Sequence, residues 1–360
     1  MDNLTLIKYY ILPLFFSFII AVMMTALIRN LAVKFKIIDY PTEPRKIHDQ
    51  PIPLLGGLAI FITFFLVTIV YYQSGLLVDG KIEGKLIWGI LLAGGLLMVN
   101  GFLDDKYKLK PQQAIIAPII ACLIVIFLGL KIGYVTNPFG GLLYLAGTFW
   151  SPLLIFFWLL GMIYTTKFLD GLDGLVSGVS IIGLIILFLV SLFWDVPLSG
   201  TSILCLILAG SALGFLVWNF QPAKIFLGEG GSTFLGFMLG VLAVISGAKI
   251  ATALLIMGIP ILDVMWVIVR RIFKEKKSPF LADKKHLHFR LLDAGLNQRQ
   301  AVLFLYLLTL LFGATAIFQK TLGKLIALGI LMIVMLALAW WVIYRYKIKT
   351  ANDGGRQAKT

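Results

Sequence analysis

The chain has 360 residues, 60% hydrophobic and only 13% charged, with a net charge of +14. Soluble domains are about 45–50% apolar and about 25% charged, so this composition excludes a soluble globular protein and defines an integral membrane protein. The positive charge is spread over the loops between apolar runs and forms no basic stripe, which excludes nucleic-acid binding as its purpose.

A helix crosses a bilayer core with about 20 apolar residues. Eleven apolar runs meet or approach that length: Tyr9–Ile28, Leu55–Tyr72, Leu86–Leu103, Gln112–Leu130, Trp150–Thr166, Leu175–Trp194, Thr201–Trp218, Thr233–Ser246, Ile250–Ile268, Ala301–Phe318 and Leu325–Tyr344. The pattern predicts an all-α polytopic membrane protein of eleven transmembrane helices, or ten without the short run after Glu229. Residues 1–347 read as one transmembrane domain and 348–360 as a polar, disordered tail. The first run has no basic segment before it and no small-residue cleavage site after it, so it reads as a retained span. Cys122 and Cys205 lie inside apolar runs without metal-like spacing and read as packed thiols.

Eleven spans put the termini on opposite sides. With the N-terminus outside, only Lys8, Lys81, Lys85, Lys131, Lys249, Lys320 and Lys324 of the 31 Lys and Arg fall outside. Basic loops stay in the cytoplasm during insertion, so an outside N-terminus and a cytoplasmic C-terminus are expected. That rule accounts for the basic loops. It does not account for Asp104, Asp105, Asp170, Asp173 and Glu229, which end or begin spans on the same face.

The first cytoplasmic loop carries Arg45, Lys46 and His48 among four prolines. Prolines keep the segment extended, and the basic side chains suit phosphates. Ordinary insertion charge is an equal reading of this loop alone. Gly56-Gly57 then opens a span, where free backbone N–H groups could receive an anion. After the third run, Asp104-Asp105 is followed by Lys106. Adjacent carboxylates raise each other's pKa unless a cation is near, and by itself this is a solvated helix end.

After the fifth run comes Lys167-Phe168-Leu169-Asp170-Gly171-Leu172-Asp173-Gly174. On a helix Asp170 and Asp173 share a face, where they suit a divalent ion or ribose hydroxyls. After the seventh run, Asn219-Phe220-Gln221-Pro222-Ala223 leads to Gly228-Glu229-Gly230-Gly231-Ser232, a carboxylate among glycines at a helix start. The plain alternative there is a flexible turn. Asp263, three residues after Pro260, is the intramembrane ionisable candidate, for a proton relay or a hydrogen bond at a kink. The last cytoplasmic loop holds His286-Leu287-His288-Phe289-Arg290. It suits phosphate or nucleotide; two histidines without Cys or a zincin motif argue against zinc.

Taken in order, these strings resemble the polyprenyl-phosphate N-acetylhexosamine-1-phosphate transferases, the group that includes the GlcNAc-1-phosphate transferases and the MraY translocase. The resemblance covers about residues 39 to 300. It implies ten or eleven helices around a cytoplasmic cleft in the inner membrane of a bacterium. It also implies transfer of a sugar-1-phosphate, GlcNAc-1-phosphate first, from a UDP-N-acetylhexosamine to undecaprenyl phosphate with release of UMP. Mg2+, or Mn2+ in its place, is the implied cofactor. By match Asp104 would be the base at the lipid phosphate, or the nucleophile of a two-step route, assisted by Asp105. Glu229 would hold the metal with Asp173. Lys167, Asp170, Asp173 and Asn219 would line the nucleotide site; Lys46, His48, His286, His288 and Arg290 would contact phosphate or sugar. Three positions depart from the family's pattern: Glu229 stands for its usual Asp, Lys167 for Asn, and Phe289 for a third His. The His-x-His-x-Arg form is nearer the GlcNAc-type enzymes than an MraY-like phospho-MurNAc-pentapeptide transferase.

Two rivals fit less well. A proton-coupled transporter predicts mid-membrane acids and internal repeats, and only Asp263 fits even in part. A CDP-alcohol phosphotransferase needs a downstream Ala-Arg and a further spaced Asp pair, and both are missing after Asp173. Gly236 and Gly240 form a small-xxx-small pair that suits a homodimer or internal packing equally.

Overall fold

The computed structural model describes residues 3–41, 48–79, 82–137, 140–194, 198–247, 250–276 and 286–357. Its long helices are α1 (Leu4–Lys34), α2 (Gly56–Gln73), α3 (Gly84–Tyr107), α4 (Pro111–Phe127), α5 (Trp150–Leu169), α6 (Leu175–Phe193), α7 (Gly200–Asn219) and α8 (Gly228–Ile245). They continue with α9 (Ile250–Ile256), α10 (Gly258–Phe273), a short α11 (Leu287–Asp293), α12 (Gln298–Phe318) and α13 (Thr321–Gln357). Nine helices among the described residues are long and apolar enough to cross a membrane, or ten if the bent pair α9 and α10 is counted as one span. The shorter α4 is the remaining one of the eleven expected runs. Two small antiparallel ladders complete the elements: β1 (Ile38–Asp39) with β2 (Ile52–Pro53), and β3 (Tyr134–Thr136) with β4 (Leu142–Tyr144). The molecule is thus an all-α polytopic membrane protein.

Local chemistry sets the helix ends. Asn297 and Gln300 form a reciprocal capping box that starts α12, with bonds of 2.9 and 3.0 Å. Asp104 closes α3 from its side chain, accepting the Leu109 N–H at 2.9 Å while Lys108 turns left-handed. The expected ninth run is not one straight helix. It bends by 77° between α9 and α10. Pro260 sits in the first turn of α10, where its ring opposes the carbonyl of Ile256 and it has no N–H to continue the ladder.

The core is centred on α8, 94% of whose span is buried inside the protein. Small residues let its neighbours approach to backbone contact. A Cβ on Gly57 would lie 2.1 Å from the Gly231 Cα, and one on Gly101 would lie 2.1 Å from the Gly230 nitrogen. The start of α8 is therefore gripped by α2 and α3. Gly236 and Gly240 face α5: a Cβ on Gly236 would meet Thr166 Oγ1 at 2.1 Å, and Trp158 Nε1 donates to the Gly240 carbonyl at 3.0 Å. This small-xxx-small pair is used for packing inside one chain. The Gly56 and Gly57 N–H groups are not open to an anion, because they donate to the carbonyls of Phe226 (2.9 Å) and Leu227 (2.7 Å). Helix packing has taken the donors that the sequence left unassigned.

Candidate active site

The ends of α3 and α5 and the start of α8 converge on one point. Lys167, in the last turn of α5, sets its ammonium 2.8 Å from Glu229 Oε2 and 3.5 Å from Asp104 Oδ2. The Glu229 N–H, in the first turn of α8, donates to Asp105 Oδ1 at 3.2 Å. Groups 63 and 124 residues apart in sequence are thereby joined. Gly228 is required for this junction. Its φ is +77°, and a Cβ there would lie 2.5 Å from Asp105 Oδ2.

Asp104 and Asp105 face different surroundings. Asp104 belongs to the Lys167 cluster. Asp105 lines a cavity of about 210 Å³ with Leu55, Leu58, Met98, Val99, Phe102 and Leu227. An apolar space ends against an acid in the last turn of α3.

The turn after α5 carries the other acids. The Asp170 carboxyl is pushed up to about 8, first by loss of solvation and then by the charges of Glu229 and Asp173. It is held protonated at neutral pH. Asp173 is directed elsewhere. Its Oδ2 accepts the Ala223 N–H at 3.0 Å, and it interacts with Gln298 and His48. Burial raises its carboxyl, and those three partners pull it back. The structure thus sets Asp170, rather than Asp173, in the field of Glu229.

Asn219 is a buried clip. Its Oδ1 accepts from the Gly174 N–H (3.0 Å) and the Ser177 hydroxyl (3.2 Å), and its Nδ2 donates to the Ile225 carbonyl (3.0 Å). It ties the 170–174 turn to the 219–225 loop. Residues that sequence reasoning passed over reinforce this tie. Arg299 donates twice to the Gln221 carbonyl, at 3.1 and 2.9 Å, and Arg29 donates to that of Lys224 at 3.2 Å. Tyr306 donates to the Gly174 carbonyl. In sequence these were loop charges and an apolar helix; no local signal marks bonds that span 78 to 195 residues.

The histidine loop closes the other side. Asp263 accepts from His286 Nδ1 and from the Leu287 N–H, both at 2.8 Å, so it anchors the start of α11. These bonds go to the histidine loop and not to the backbone at the kink. His286 stacks on His288 with ring centroids 5.6 Å apart, and on Phe168 at 5.9 Å. His288 packs against Gly171: a Cβ on that glycine would lie 2.3 Å from its Nε2. Burial holds the His288 ring down to about 4, so it is a neutral imidazole at physiological pH. Among the described residues neither of its ring nitrogens has a hydrogen-bond partner. His48 is more peripheral, bonded to Asp39 Oδ2 (3.0 Å) and the Gln50 carbonyl (2.8 Å). Arg290 lies in α11. Lys46 lies outside the described residues.

The cleft is rich in carboxylates, the donors that hard divalent ions prefer. As arranged, however, they do not make a metal cage. Among the described residues no three Asp, Glu, His or Cys side chains converge to hold an ion. The cation between Asp104 and Glu229 is the Lys167 ammonium.

Fold and site together define a multi-pass membrane protein in which acids and a lysine from three helix ends meet beside an apolar cavity. Residues 87–247 match the family described as glycosyl transferase family 4. The chain is 34% identical to the probable undecaprenyl-phosphate N-acetylglucosaminyl 1-phosphate transferase of Bacillus subtilis, over 89% of this chain and 87% of that protein. It is 34% identical to the decaprenyl-phosphate N-acetylglucosaminephosphotransferase of Mycolicibacterium smegmatis, over 80% and 77%. With the undecaprenyl-phosphate α-N-acetylglucosaminyl 1-phosphate transferase of Salmonella typhi it shares 27% identity, over 90% and 87%. The chain belongs to this family of membrane sugar-phosphate transferases.

Proposed function

We propose that the protein transfers GlcNAc-1-phosphate from UDP-GlcNAc to undecaprenyl phosphate at the cytoplasmic face of a bacterial inner membrane, releasing UMP. The observation that carries this reading is the meeting of the Asp104–Lys167–Glu229 cluster with the apolar cavity that ends at Asp105. A reaction between a water-soluble sugar nucleotide and a lipid phosphate needs a polar phosphate cleft and an apolar tail path in contact.

In this reading the prenyl tail leaves along the apolar cavity and its phosphate lies at Asp105. Asp104 keeps that phosphate deprotonated. A phosphate oxygen attacks the β-phosphorus of the donor, and a new P–O–P link forms to the sugar phosphate. The bond from the β-phosphorus to the bridging oxygen breaks, and that oxygen departs with UMP. Phosphoryl transfer depends mainly on positioning and charge stabilisation, and Lys167 supplies a positive charge at the point where these groups meet. His288, a neutral ring, would serve the donor through hydrogen bonding rather than by charge. Lys46, His48, His286 and Arg290 serve as the outer phosphate and sugar contacts. Mg2+ remains part of the proposal, since the carboxylate-rich cleft suits a hard cation. Lys167 stands on the carboxylates such an ion would take, so no step is routed through it.

The test is UMP release from a panel of UDP-sugars with a short polyprenyl phosphate. UDP-GlcNAc should be the best donor. Absence of release from every UDP-N-acetylhexosamine would overturn the reading.

A further inference from the structure

Lys167 and Glu229 approach from different helices, and both have long arms. The ammonium reaches Glu229 at 2.8 Å and Asp104 at 3.5 Å, and both partners are largely shielded from solvent on the Asp104 side, with side-chain exposures of 24% and 13% for Lys167 and Asp104. A fixed cation thus occupies the place where a mobile one would gain most. A divalent ion arriving there meets a positive charge within contact distance, and the two compete for the same carboxylate oxygens.

An anionic donor changes this balance. A diphosphate beside α5 offers the ammonium new oxygens, and Lys has three rotatable donors on a flexible stem with which to follow them. We propose that Lys167 is the resident counter-cation of Asp104 and Glu229, and that it bars divalent ions from these carboxylates until a nucleotide diphosphate draws it away. Lys167 then acts as a positioning residue: it makes metal uptake depend on the donor. The proposal rests on the transferase reading for the identity of the donor, but its ion competition is a property of the empty protein.

The experiment is Mn2+ binding by the full-length protein in detergent, read from the loss of the free-ion electron paramagnetic resonance signal. Wild type without nucleotide should bind Mn2+ about tenfold more weakly than Lys167→Asn and Lys167→Gln, while Lys167→Arg, which keeps the charge, should stay weak. Adding UDP-GlcNAc should tighten wild type by about tenfold and the neutral variants much less. Equal Mn2+ affinity of wild type and both neutral variants without nucleotide would overturn the proposal. So would full Mn2+ affinity of wild type alone, an outcome that needs no variant to fold. If the transferase reading is the part that fails, UDP-GlcNAc changes nothing in any protein while the nucleotide-free difference between wild type and variants remains.

Discussion

Asp104 shows how one carboxylate can be committed three ways. It closes α3 through the Leu109 N–H, faces Lys167, and is the proposed base. Asp104→Asn keeps the shape and the cap but removes the charge, so UMP release should fall by about 100-fold or more with the protein still folded. Asp170 carries a pH signature. Its folded pKa, about 8, lies above its ordinary value of 3.8. The unfolded chain therefore loses this proton first as pH rises. Stability tied to Asp170 is complete below about 4, declines between the two values and is flat above about 8. Asp170→Asn should flatten that decline and raise the melting temperature at pH 8, measured by thermal unfolding in detergent. His288 has the opposite dependence. Its pKa is lowered from 6.5 to about 4, so the unfolded chain takes up the proton first and stability falls as pH drops across that window.

At the scale of elements, glycine decides where the helices can cross. Gly101 and Gly57 hold α3 and α2 against the first turn of α8, the turn that carries Glu229. Gly101→Ala forces backbone against backbone. It should cost about 1–3 kcal/mol, seen as a lower melting temperature, and it should impair UMP release by moving Asp105 from Glu229. Gly161→Ala, which would meet nothing within 4 Å, should leave both unchanged. The bend at Pro260 has a comparable role. It turns α10 so that Asp263 meets His286 and Leu287 and fixes the histidine loop. Asp263→Ala would leave those buried donors without their acceptor, costing about 1–3 kcal/mol, and the KM for UDP-GlcNAc should rise.

At the scale of the molecule, the ends of α3 and α5 and the start of α8 meet in one acid cluster. The proposed orientation predicts that Lys110→Cys is labelled by a membrane-impermeant maleimide only after the membrane is opened, and that Lys320→Cys is labelled in intact cells. The native Cys122 and Cys205 are buried and should not interfere. The opposite pattern would turn the site outward and sink the proposed location.

The apolar runs, the basic loops and the ordered acidic strings were all legible in the sequence, because membrane insertion writes span length and charge locally along the chain. The class of chemistry followed from the same strings. What the sequence could not assign was partnership. It left Gly56-Gly57 open to an anion, whereas packing against the 226–227 carbonyls consumes those donors. It paired Asp173 with Glu229, whereas the fold turns Asp173 to Ala223 and sets Asp170 near Glu229. It put Lys167 in the lining of the nucleotide site, whereas the tertiary structure sets its ammonium between Asp104 and Glu229. Residues this far apart become neighbours only when the helices pack, so residue type and spacing announce the charges, and only the packed bundle decides which of them meet.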